Sequence, residues 1–282
     1  LANLLAGKDR LRSILSPEAE KVLRHSEKKF HNEPFLLAAS GFETARLVAE
    51  NTRGNTELVF EDQGLTPETA KGLSYFKGRL AITVVESFGA MGPGTGTLST
   101  DSVESLANHE GTLILELGEI NVETATALSR HNGPLEITCA EWSDESLIAL
   151  SKLENNLTIM DAELELELSP VCAESLSNHK GELSLWHVPN LSDEAAMWLS
   201  KRTGVLNFYG QTPAYDSTLV GHLALLESQV ANNPHNFSIT LANLDPKIAR
   251  ILSKHGKGVR AFPKELRIDV ESIDEECAQI LS

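Results

Sequence analysis

The sequence predicts an α/β solenoid of short strand-plus-helix repeats. Three observations carry this: one apolar pattern recurs every 22 to 26 residues, each copy holds a Gly or Asn at the same register, and the pattern is filled by aliphatic side chains while aromatics make up 5% of the chain. A unit of that length has a single apolar stripe that it cannot bury alone, so neighbouring units must stack into a continuous core.

The chain is expected to be one repeat array over residues 1–282, with degenerate repeats at 1–60, regular repeats at 61–209, an irregular repeat at 210–235 and C-terminal repeats at 236–282. In the first stretch, Ser16-Pro17-Glu18 opens a helix whose stripe is Leu15, Ala19 and Leu23, and Phe35/Leu37 and Leu58/Phe60 alternate as strands do. In the regular stretch, Gly78, Gly111, Gly133, Asn155, Gly181 and Gly204 serve as register marks. Thirteen, eight and five residues before Gly111 stand Leu98, Val103 and Leu106, and before Gly181 stand Leu168, Ala173 and Leu176. Two and four residues after the marks come the strand pairs Leu80/Ile82, Leu113/Leu115, Leu135/Ile137, Leu157/Ile159, Leu183/Leu185 and Leu206/Phe208.

Helix starts are signalled by a hydroxyl followed by Pro or an acid, as in Thr66-Pro67-Glu68, Ser143-Asp144-Glu145, Ser169-Pro170 and Ser192-Asp193-Glu194. Such residues satisfy the first free amides and complement the helix dipole. The Gly or Asn mark is expected to stop each helix, since both residues tolerate positive φ. Ser87 to Thr97 interrupts the period as a Gly-rich insertion, and Gly210 to Pro234 as a longer helix around Leu219 to Val230. Leu244, Ala249 and Leu252, the strand pair Leu266/Ile268, and Ile273, Ala278 and Leu281 continue the pattern to the end of the sequence.

A net charge of -16 repels phosphate backbones, so nucleic acid is not an expected partner and a basic or neutral one fits better. Cys139, Cys172 and Cys277 are odd in number and lack CxxC spacing, which makes them core fillers and not a disulfide or zinc framework. No apolar run of about 18 residues predicts a membrane span, and no leader opens the chain, which begins at Leu1 without Met. The compartment is left open, with the cytoplasm the favoured expectation.

The spacing Leu113-x-Leu115-x-x-Gly118-x-Ile120, with Leu58-x-Phe60-x-x-Gln63-x-Leu65 and Ile137-x-x-Ala140-x-Trp142, resembles the LxLxxNxL core of leucine-rich repeats, in a degenerate bacterial variant. The ladder Asn of that family is replaced here by Gly118, Ala140, Ala162 or Val188. The resemblance implies a curved solenoid with parallel strands on the concave face and short helices on the convex face. It also implies partners bound on the strands and no chemistry of the fold's own.

With the leucines inward, the residues between them point outward in two columns. One runs Ala81, Ile114, Glu136, Thr158, Ser184, Asn207, Ser238, Arg267. The other runs Glu61, Thr83, Glu116, Thr138, Met160, Trp186, Tyr209, Thr240, Asp269. Glu116, Thr138, Met160, Trp186 and Tyr209 are the candidate binding residues, since adjacent strands would set Met and two aromatics side by side like an interface anchor. The same cluster could instead pack on the irregular Gly210 to Pro234 segment. His109, His131, His179 and His255 recur just before the register position. Stacked histidines could hold a metal, but His in a last helical turn also bonds free carbonyls, and no metal or cofactor is expected. Gly92 to Thr97 lacks the GxxxxGK[ST] of a phosphate loop, and Glu163, Glu165 and Glu167 form a solvated or docking strip.

No nucleophile, base and orienting group converge, so an enzyme is not expected. The expected function is a protein–protein interaction scaffold gripping an unknown protein or peptide on the strand face. The alternative is a sensing module of a larger polypeptide that reads a small molecule or glycan.

Overall fold

The computed structural model describes residues 35–36, 42, 45–46, 49, 54–61, 65–85, 96–162, 166–210, 213–232, 237–241, 244–253, 266–269, 273 and 275–281. It divides into two compact units, Leu1–Gly118 and Glu119–Ser282. The Ser16 helix start, Leu37, His255, Glu163, Glu165 and residues 87–95 of the Gly-rich insertion lie outside the described residues.

In the first unit, β1 (Phe35–Leu36), β2 (Gly54–Glu61), β3 (Gly78–Val85) and β4 (Leu113–Glu119) pair in chain order, all parallel, with α1 (Pro67–Leu73) and α2 (Thr100–Leu106) as crossovers. In the second unit, α3 (Val122–Leu128), α4 (Asp144–Leu150), α5 (Pro170–Ser177) and α6 (Asp193–Ser200) alternate with the parallel strands β5 (Leu135–Glu141), β6 (Leu157–Asp161), β7 (Leu183–Trp186) and β8 (Leu206–Tyr209). A separate parallel sheet holds β9 (Ala214–Tyr215), β10 (Phe237–Leu241) and β11 (Leu266–Asp269), accompanied by α7 (Val220–Asn232), α8 (Pro246–Leu252) and α9 (Glu275–Leu281). The chain is thus α/β, with parallel strands alternating with short helices in a repeat architecture.

The apolar pattern is the core. Leu80, Ile82, Leu113, Leu115, Leu135, Ile137, Leu157, Ile159, Leu183 and Leu185 are at most 1% exposed, facing helix residues such as Ala125, Leu128, Ala173 and Leu176 at 0%. Each such leucine contributes about 2 kcal/mol through burial. Thr66, Ser143, Ser169 and Ser192 accept from the amide three residues on, as their sequence signals require, and Ser99 and Asn121 do so without a following Pro-Glu or Asp-Glu signal. At the third helical position Ser102 and Ser146 reach the preceding repeat, their hydroxyls donating to Leu65 O at 2.7 Å and Ile120 O at 2.6 Å.

Two expectations about the repeat are corrected. The register marks do not cap the helices, which end in right-handed caps at Ser74, Ala107, Ser129, Ser151, Asn178 and Lys201, several residues earlier. The marks lie where successive repeats approach most closely, at or just before the strand. A Cβ on Gly111 would lie 2.1 Å from Gly78 O, and one on Gly181 2.2 Å from Asn155 O. Gly78 and Gly111 adopt positive φ, but Asn155 does not, so it does not stand in for a left-handed glycine.

The side chains of His109 and His179, in turn, bond the preceding repeat, while their backbone amides bond the end of their own helix. His109 Nε2 donates to Gly78 O at 2.9 Å and His179 Nδ1 to Ser151 O at 3.2 Å. They share an inward position of the repeat, held by Phe76 and His109 in the first unit and by His131, Leu153, His179 and Arg202 in the second, each at most 3% exposed. Phe76 and His109 stack, ring centroids 6.0 Å apart.

Burial holds the His179 imidazole below its ordinary pKa of 6.5, reinforced by the Arg202 charge and opposed by backbone hydrogen bonds. The unfolded chain therefore takes up this proton first as pH falls. The stability carried by neutral His179 is complete above the unfolded pKa and is lost as pH drops through the lower folded value. Urea midpoints between about pH 7 and pH 5 should decline less steeply in His179→Gln than in the wild-type chain, whereas an unchanged acid slope would remove His179 from the acid response.

Candidate functional site

Strand register brings four of the five candidate binding residues into one row. Thr138 pairs with Met160, Met160 with Trp186 and Trp186 with Tyr209 across β5 to β8. At about 4.8 Å per strand the row is about 14 Å long. Thr138 Oγ1 donates to Met160 Sδ at 3.7 Å, and the Trp186 and Tyr209 rings stand 4.9 Å apart with 30° between their planes. That separation matches the strand spacing, so the two rings stack on each other while rising from the sheet. Thr138, Met160 and Trp186 are half-buried, and Tyr209, on the last strand of its ladder, is 42% exposed. Glu116 lies in the first unit, half-buried, where its Oε2 accepts from Thr83 Oγ1 at 2.8 Å.

The other column is less open than alternation alone predicts. Glu136, Thr158, Ser184 and Asn207 are in register, but Ser184 and Asn207 are 8% and 6% exposed, and Ile114 in the first unit is 8% exposed. Asn207 is turned toward a group the sequence reading passed over, its Nδ2 donating to Glu182 Oε1 at 2.6 Å. Glu182 precedes Ser184 by two residues and so shares its face of the strand, which is the signal that identifies it. Burial, and then the Glu182 charge, push the Tyr209 phenol above its ordinary pKa.

Neither column runs on past β8 as expected. Thr240 pairs with Ala214 on one side and Asp269 on the other, inside the separate sheet. The cause is the irregular segment, whose short strand β9 becomes the partner of β10. Its helix α7 joins the helix layer beside α6, with Gly221 N donating to Asp193 Oδ1 at 2.5 Å and His222 Nε2 to Leu191 O at 2.8 Å.

Backbone strain marks the edge of the aromatic stack. His187, next to Trp186, is the one described non-glycine residue with positive φ, at 58°, and is held by bonds from its N to Tyr209 O at 3.0 Å and from Leu166 N to its own O at 2.9 Å. A non-glycine residue costs about 1 kcal/mol or more in that region, and such strain concentrates at functional positions. Gly210, at φ 69°, leaves room for the His187 ring, since a Cβ there would lie 2.4 Å from His187 Cε1.

A second feature is a shallow groove of about 370 Å³ in the second unit, lined by Val122 and Trp142 together with Glu119, Glu123, Glu141 and Glu145. These acids were passed over in the sequence, although their 22-residue spacing is a signal that could have found them. Burial pushes the thiols of Cys139 and Cys172 up to about 12, so both are protonated at neutral pH and suited to packing. Among the described residues no group of three or more His, Cys, Asp or Glu is placed to hold a metal ion, and no helix is long and apolar enough to cross a membrane. Comparison of the chain with protein-family models, with curated proteins and with solved structures finds no match.

Proposed function

We propose that this chain is a non-catalytic interaction scaffold of leucine-rich-repeat type, which grips a segment of a partner protein on the strand face of its second unit. The observation that supports this is the Trp186–Tyr209 stack, raised from a row of strands that are otherwise leucine-cored and polar-faced. Stacked aromatics beside Met, partly open to solvent and rimmed by polar groups, have the composition of binding hot spots. The strained His187 at its edge supports the same assignment.

The test is affinity capture from the source lysate with the wild-type chain and Trp186→Ala/Tyr209→Ala side by side. A bound protein should be depleted at least about tenfold in the variant lane. Far-ultraviolet circular dichroism must show the repeat fold retained. Equal capture by both would remove the stack from the interface.

A further inference from the structure

Resting on that reading, we infer that the partner segment is basic and presents an arginine to the Trp186–Tyr209 stack. Residues 119–210 contain 15 Asp and Glu against 5 Lys and Arg, so this part of the second unit carries a strongly negative field. None of the five cations lies in β5 to β8. Lys180 is paired with Glu154, Lys201 sits 3.5 Å from the centroid of the Trp198 ring, and Arg202 is buried on backbone carbonyls. β5 to β8 supply no cation of their own and the charge of the buried Arg202 is offset by Glu182, so the outward strand face complements a cationic ligand.

The local geometry selects arginine over lysine. Tyr209 ends the aromatic stack, with a partly exposed ring. The Glu182 carboxylate accepts from Asn207, which stands two residues before Tyr209 on the same face of β8. A guanidinium can lie flat on an aromatic face while its edge forks onto a carboxylate, and an ammonium cannot do both. The row of Thr138 and Met160 continues from the stack for about 10 Å, enough to seat roughly three residues of extended chain beside that arginine.

The experiment is selection of a random dodecapeptide display library on the wild-type chain, with counter-selection on Tyr209→Ala. Enriched sequences should share an arginine. Their synthetic peptides should bind at least tenfold more weakly when that arginine is replaced by lysine or citrulline, and more weakly on Glu182→Gln and at raised salt. Glu182→Gln keeps the size and hydrogen-bonding reach of the side chain, and its melting curve reports whether the fold is retained. Peptides that need Tyr209 but carry no basic residue would overturn the inference and leave the interaction face standing. Enrichment of no Tyr209-dependent peptide would overturn both.

Discussion

Arg202→Met is expected to lower the stability of the second unit by about 3 kcal/mol, read as a shift in urea midpoint. The guanidinium is 2% exposed and donates to Leu176 O and Val205 O, each at 3.2 Å, and to His179 O and Gly181 O. It thereby ties the turn of one repeat to the turn before it. Methionine matches the stem and removes a cation that burial holds down to about 10, which is a gain. It also takes a donor from four carbonyls: Leu176 O and Val205 O keep backbone donors in His179 N and Leu183 N, while His179 O and Gly181 O lose the guanidinium, and each buried polar group left unpaired costs about 1 to 3 kcal/mol. The loss outweighs the gain because Glu182 and these carbonyls already compensate the charge. Arg202→His should recover part of the deficit, since histidine fills the same repeat position at 109, 131 and 179 and reaches back to a carbonyl at two of them. An unchanged midpoint for Arg202→Met would show that water can replace the guanidinium.

Much of this array was legible before the structure because its forces are local and repeated. The strand pairs, the helix stripes and four of the hydroxyl caps follow from periodicities of 2 and 3.6 combined with the chemistry of helix starts. Row membership of Met160, Trp186 and Tyr209 was legible for the same reason, since parallel strands at equal register align equal positions. What was not legible depends on contacts between repeats. The inward positions from Phe76 to Arg202 appear in sequence as unrelated residues before a mark, and only stacking within each unit shows that several of them reach back to the preceding turn. Glu182 was passed over because it precedes the strand proper, although its parity places it on the outward face. The break after β8 was hidden because Phe237 and Ile239 keep strand alternation while the irregular segment supplies β9 as a different partner.

Gly111→Ala and Gly181→Ala should each cost about 3 kcal/mol, while Gly204→Ala at the equivalent register should cost well under half as much. The contrast isolates close approach between repeats from glycine's backbone freedom. At Gly181 φ lies outside the left-handed range, yet a Cβ would meet Asn155 O at 2.2 Å, Asn155 C at 2.4 Å and Asn156 N at 2.8 Å, all of them backbone. Relief requires the two repeats to part, next to the ladder bond from Leu157 N to Glu182 O at 2.8 Å. At Gly111 the same kind of clash, 2.1 Å from Gly78 O, is joined by a φ of 150° that a side chain rarely adopts, and the neighbouring ladder bond from Leu80 N to Thr112 O is 2.9 Å. At Gly204 the nearest atom is the Arg202 guanidinium at 3.0 Å, which asks a few tenths of an ångström of a side chain and no movement of the backbone, with the Gly181 carbonyl oxygen at 3.5 Å. Hydrogen exchange should then show β6 and β7 amides opening in Gly181→Ala while Gly204→Ala keeps wild-type protection. Equal losses at Gly181 and Gly204 would mean that the glycines at the marks serve chain flexibility alone, and that the repeats are not held at a spacing that excludes a Cβ at Gly181.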